Sequence, residues 1–141
     1  MLIDANVLMY ALINDYPQHQ KASAWLSDQL DGKRRIGIPW VNILAFIRLS
    51  TNRRILAAPL SAVDAWAAMN HLLNHPRVWI PMPGPEHRGI FAKLMARHQA
   101  SGDLVMDLDM TALAVEHGLQ IASSDSDFAR FPEARWINPI S

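Results

Sequence analysis

A short apolar run, Met1-Leu2-Ile3, stops on a carboxylate at Asp4, with Asn6 two residues on. The pattern predicts a first β-strand that delivers an acid to the rim of a sheet. It returns near the other end of the chain, where Leu119-Gln120-Ile121-Ala122 runs into Ser123-Ser124-Asp125-Ser126-Asp127-Phe128. Between the two, Asp107 stands at the head of an Ala-rich helical pattern. Strands that alternate with helices imply parallel pairing and crossover connections. Ligands of such α/β sheets bind beyond the carboxyl ends of the strands. Three well-separated segments thus each place an acid where this class of fold builds its sites.

The pattern predicts strands over residues 1–4, 35–38, 78–80 and 119–123, and a fifth at Trp136-Ile137. A short helix follows Asp4. Further helices are expected over 17–31, 40–51, 61–73, 85–99 and 107–117. Their signals are specific: Gly32 and Gly118 as stops and Ser61 as an N-cap, while Pro39 closes the second strand. Helices are expected on both faces of the sheet. With 141 residues and no repeat or linker, residues 1–141 read as one domain.

The net charge is zero, which argues against a protein held to nucleic acid by bulk electrostatics. Local basic runs remain, at Lys33-Arg34-Arg35 and at Arg48, Arg53 and Arg54. Both also read as solvated turns or helix ends. The chain has no cysteine, so disulfides and thiolate metal sites are excluded. No apolar stretch of about 18 residues spans a membrane. Met1 leads directly into a strand without a basic leader, so the expected compartment is the cytoplasm.

Converging acids need neutralisation. Two unit charges 4 Å apart repel by about 4 kcal/mol at an effective dielectric of 20. A cation is the usual remedy, and oxygen-only ligands favour Mg²⁺ or Mn²⁺. Each acid also has a plainer reading. Asp4 can cap the following helix. Asp107 suits a helix first turn through the macrodipole alone. Asp109 lies roughly 200° around the helix from Asp107, so the two do not share a face. Asp103 fits the turn before the helix. Asp125 and Asp127 can form an Asx-turn. The six histidines lack zinc-site spacing, and no phosphate-cradling or nucleophile-elbow motif occurs.

The order of these motifs resembles the PIN domain, and most closely the VapC toxins of bacterial toxin–antitoxin pairs. Asp4-Ala5-Asn6 follows the first strand. Asp107 heads an Asp-x-x-x-x-Ala-Leu-Ala helix, and Ser124-Asp125-Ser126-Asp127-Phe128 follows a late strand. Pro39-Trp40 and Leu44-Ala45-Phe46-Ile47-Arg48-Leu49-Ser50-Thr51-Asn52 add to the likeness. The resemblance covers essentially the whole chain. It implies a three-layer α/β/α sandwich with a mainly parallel, five-stranded sheet. It implies a Mg²⁺- or Mn²⁺-dependent endoribonuclease, an RNA substrate, a VapB-type antitoxin that blocks the site, and a homodimer. Asp4, Asp107 and Asp125 would be the catalytic, metal-holding acids, with Asp127 assisting and Asn6 supporting. Arg48 is a candidate for the substrate backbone.

One departure stands out. Many PIN domains carry a glutamate near the start of the helix after the second strand, where this chain reads Trp40-Val41-Asn42-Ile43-Leu44-Ala45. Asn42 is the only polar side chain there. The loss opens an alternative: a catalytically weakened scaffold that binds RNA or protein without cleavage. A phosphorylated receiver-like domain fits less well, because the acidic pair after the first strand and a late lysine are missing.

Overall fold

The computed structural model describes residues 1–141. In chain order the elements are β1 (Leu2–Ile3), α1 (Ala5–Leu12), α2 (His19–Asp31), β2 (Ile36–Gly37), α3 (Trp40–Ser50), α4 (Ala62–Leu73), β3 (Val78–Trp79), α5 (His87–His98), α6 (Leu104–His117), β4 (Ile121–Ala122) and β5 (Trp136–Ile137). A 3-10 turn, Ser126–Arg130, lies between β4 and β5.

The five strands form one sheet in the order β3-β2-β1-β4-β5. Every pairing is parallel, with Leu2 opposite both Gly37 and Ile121. The chain therefore winds outward from β1 to β3, then returns to the other side of β1 for β4 and β5. Crossovers of a single hand place helices on opposite faces before and after such a reversal. The packing agrees. Ile3 joins Val7, Leu8, Ile43, Phe46 and Met69 in a core beneath α1–α4. Leu2 points the other way and packs with Met110, Leu113 and Ile121 under α6. Alternation along two strand residues thus supplies both cores. Truncating either residue to alanine costs about 2–5 kcal/mol.

The expected strands are all present, the first four shortened to two paired residues each and the fifth, Trp136–Ile137, as expected. Most helix boundaries fall within two residues of expectation, and the Ser61 hydroxyl caps α4 by accepting from Asp64 N at 3.1 Å. One boundary differs. The helix expected to start at Asp107 begins at Leu104, because the Ser101-Gly102-Asp103 turn winds straight into it. Leu104 N donates to Ser101 O at 3.3 Å and Val105 N to Gly102 O at 3.1 Å. Asp107 therefore projects from the side of the first turn rather than crowning it. Gly118 ends α6 at a φ of 66°, a conformation that disfavours any side chain.

Candidate metal centre

The winding reversal between β1 and β4 leaves a crevice beyond the carboxyl ends of both strands. Asp4 follows β1 directly, and Ser123-Ser124-Asp125 follows β4. Asp107 enters from the first turn of α6, whose Met110 and Leu113 sit on the sheet next to Leu2 and Ile121. Carboxylate oxygens of Asp107, Asp125 and Asp127 lie within 4.8 Å of one another. This is the one group of metal-ligating side chains that the fold brings together.

Asp4 stands beside that group and is held more tightly than any of its members. Its Oδ1 accepts from Ala5 N at 2.7 Å. Its Oδ2 accepts from Ser123 Oγ at 2.7 Å and from Asn6 Nδ2 at 3.3 Å. Asp4 and Asp107 line the same cavity, of about 580 Å³. Asp4 therefore does cap α1, and its carboxylate still keeps acceptor capacity beyond those three bonds. Asp125 behaves similarly: it opens the 3-10 turn by accepting from Asp127 N at 2.9 Å. The capping and site readings of these acids are compatible.

Ser123 is the hub that reading the sequence missed. It is fully buried. Its hydroxyl donates to Asp4 and accepts from Asn6 Nδ2 at 3.2 Å and from Asp125 N at 3.0 Å. Asn6 closes the circuit by accepting from Ser124 N at 3.2 Å. One hydroxyl thus ties the loop after β4 to the acid after β1. The signal available was its place, the first polar residue after an apolar strand, but serines in such loops are common.

Electrostatics mark the crowding. Burial, then repulsion from Asp125, Asp4, Asp127 and Asp103, pushes the Asp107 carboxyl up to about 6. Burial also raises Asp4, against the hydrogen bonds from Ser123 and Ala5, with Asp125 adding to the rise. The donor set is hard oxygen throughout, as Mg²⁺ or Mn²⁺ requires. Opposite ligands of Mg²⁺ are about 4.2 Å apart at normal bond lengths. Neighbouring ligands stand closer, about 2.9 Å apart, so carboxylate oxygens within 4.8 Å of one another can close on such an ion by side-chain rotation, and the residues present fit it.

The remaining candidates separate. Asn42 is buried and donates to Ile3 O at 2.9 Å, with Met110 Sδ at 3.9 Å. Its amide braces the end of β1 from below, one residue before Asp4. Arg48 is exposed on the rim of the Asp4–Asp107 cavity. Lys33-Arg34-Arg35 does not approach the acids: Arg35 directly precedes β2, at the opposite edge of the sheet. Asp109 turns to α5, where its carboxylate pairs with His87 Nε2 at 2.7 Å. Asp103 occupies the N-cap position of α6 without a side-chain capping bond.

The PIN domain family model matches residues 1–134. The chain is 38% identical to Ribonuclease VapC33 of Mycobacterium tuberculosis over 97% of this chain and 96% of that one. It is 37% identical to Ribonuclease VapC37 of the same species, over 98% and 96%. Among solved structures, a VapBC2 complex from Rickettsia felis bound to a promoter DNA fragment matches with a TM-score of 0.72 at 15% identity, over 97% of this chain and 96% of that one. VapBC-1 from nontypeable Haemophilus influenzae matches at 0.71 and 12%, over 99% and 98%. The chain belongs to the PIN-domain family, among its VapC members.

Proposed function

We propose that this chain is the toxin of a type II toxin–antitoxin pair, an endoribonuclease that hydrolyses RNA phosphodiester bonds with Mg²⁺ or Mn²⁺. The observation that carries the reading is the convergence of Asp107, Asp125 and Asp127 within 4.8 Å at the winding reversal of the sheet, with Asp4 alongside. The names of the VapC relatives support an RNA substrate. β5 lies beyond residue 134 yet completes the sheet, which supports residues 1–141 acting as one domain.

Asp4, Asp107 and Asp125 would hold the ion, with Asp127 assisting. A bound divalent cation supplies a water of lowered pKa and neutralises charge building on the phosphate. The chain supplies the rest. Ser123 and Asn6 fix the Asp4 carboxylate, so its orientation costs nothing when substrate arrives. The Asp127 amide fixes that of Asp125. Arg48, on the cavity rim, would steady the backbone of the RNA.

The cavity beside the acids is mainly apolar, lined by Val41, Leu44, Ile47, Met106 and Met110. Such a wall suits an apolar protein segment better than a polyanion, which supports a VapB-type antitoxin that covers the site. The VapBC complexes among the neighbours point the same way. Val63 and Trp66, exposed on α4, support the pairing of two copies.

The test is cleavage of total RNA by purified protein with Mg²⁺ and with EDTA. Cleavage only with the metal is expected; equal cleavage in both sinks the metal-dependent reading. Asp4→Asn is expected to abolish toxicity on expression with the fold intact. The second reading, binding without cleavage, draws on Asn42: its amide is committed to Ile3 O where a fourth acid would stand. Tight Mn²⁺ binding with no cleavage of any RNA would favour it.

A further inference from the structure

The acids gather where the strands end, and unpaired arginines gather where they begin. Arg34 and Arg35 directly precede β2, and Arg135 directly precedes β5. All three are exposed and line one cavity of about 590 Å³ with the C-terminal end of α6 and Gln120. None has an acidic partner; the arginine salt bridges in this chain are Arg97 to Glu133 and Arg130 to Asp127. Glu133 is the one acid that lines the cavity. It is taken up by Arg97 at 2.8 Å and His98 at 2.9 Å. Arg35 is braced, its guanidinium carbon 4.3 Å from the centroid of the Trp79 ring. In a chain of zero net charge, three uncompensated guanidinium groups converge on one hollow.

We propose that this hollow docks the phosphate backbone of an RNA whose scissile region lies at the acidic edge. The proposal rests on the ribonuclease reading. The acidic edge repels a polyanion, and Arg130 beside it is already paired with Asp127. A substrate held there needs cationic anchorage elsewhere. Guanidinium forks match phosphate oxygens bidentately, and a ring-stacked fork loses little freedom on binding. Asp107 and Gly118 lie near opposite ends of α6, about 16 Å apart at about 1.5 Å per residue. At about 3.4 Å per stacked nucleotide, a strand of roughly five reaches from one edge to the other. Longer RNAs engage both edges; very short ones engage only the acids.

The test is fluorescence anisotropy in EDTA, with the full chain and an end-labelled RNA of about 20 nucleotides, beside Mg²⁺-dependent cleavage of that RNA and of one of about four nucleotides. With Arg34→Ala/Arg35→Ala/Arg135→Ala, affinity for the longer RNA falls at least tenfold. The slope of log affinity against log salt becomes shallower by about 2 to 3. Cleavage of the short RNA with Mg²⁺ stays unchanged, while cleavage of the longer RNA at low concentration falls with its affinity. The Arg34→Ala/Arg135→Ala pair leaves the Trp79 contact intact and gives a slope change of about 2. Unchanged affinity, equal loss of cleavage at both lengths, or failure of the native chain to bind the longer RNA overturns the proposal. So does tighter binding of an oligoglutamate peptide than of RNA, which would assign the hollow to an acidic protein segment. If the arginines only serve the negative end of α6, the variants melt at lower temperature and bind RNA as before. Because the readout needs no cleavage, a chain that bound RNA through these arginines yet never cut it would sink the nuclease reading alone.

Discussion

At the edge where the strands end, Asp4, Asp107, Asp125 and Asp127 crowd one crevice, and burial with mutual repulsion lifts Asp107 to about 6. At the edge where they begin, Arg34, Arg35 and Arg135 stand without counterions. The two edges share the same strands and differ only in chain direction. A parallel sheet sorts residues by whether they precede or follow a strand. A zero net charge therefore conceals a molecule with one acidic and one basic end. The acidic edge is also the costly one. It stores repulsion in the metal-free protein, while the basic edge stays solvated and cheap.

The hardest test of this asymmetry is Asp107→Asn. Cleavage should fall by more than ~100-fold, beyond the loss that removal of a merely supporting group produces. The same variant should raise the melting temperature of the metal-free protein near neutral pH, because it removes one of several like charges. A lower melting temperature would mean that the acids are not strained against one another. Next comes Ser123→Ala, which leaves the Asp4 carboxylate and the Asp125 amide without their shared partner. Activity should drop about 10–100-fold. Stability, followed by urea denaturation, should fall by about 1–3 kcal/mol. A loss of stability with full activity would make Ser123 purely structural.

The pH response follows from the sign of the Asp107 shift. Its carboxyl binds a proton more tightly in the folded state than the ordinary value of 3.8, up to about 6. Between those values the native state holds more protons, so metal-free stability falls as pH rises and the loss is complete above about 6. Thermal melts in EDTA should show this decline, and added Mn²⁺ should reverse it increasingly as pH rises. A flat profile in EDTA would refute it. The smallest expected effect is Arg97→Ala at the other edge. Arg97 is 69% exposed, so losing its pair with Glu133 should cost no more than about 1 kcal/mol. The melt should scarcely move, since His98 still holds Glu133.

Much of the fold is legible locally. Short apolar runs that stop on polar residues or on prolines marked all five strands, and Gly32, Ser61 and Gly118 marked helix ends by mechanisms that act within a few residues. The start of α6 was not legible, because a turn containing glycine and a first helical turn share residues and look alike in sequence. Asp4, Asp107 and Asp125 were candidates because each sits at an element boundary. Ser123 was not, because its importance comes from partners more than 100 positions away along the chain, at Asp4 and Asn6. The basic run at 33–35 looked equally available to any site until the direction of β2 fixed its edge.

The amino-acid pattern by itself determined the alternation of strands and helices, and with it parallel pairing and acids at strand ends, since these depend on side-chain periodicity and short-range sterics. Only the tertiary structure decided the strand order. The order chose which acids meet, gave Ser123 its partners, and sent the arginines to the far edge. Those outcomes depend on which crossover returns past β1, a consequence of packing two cores on one sheet that no local stretch of residues encodes.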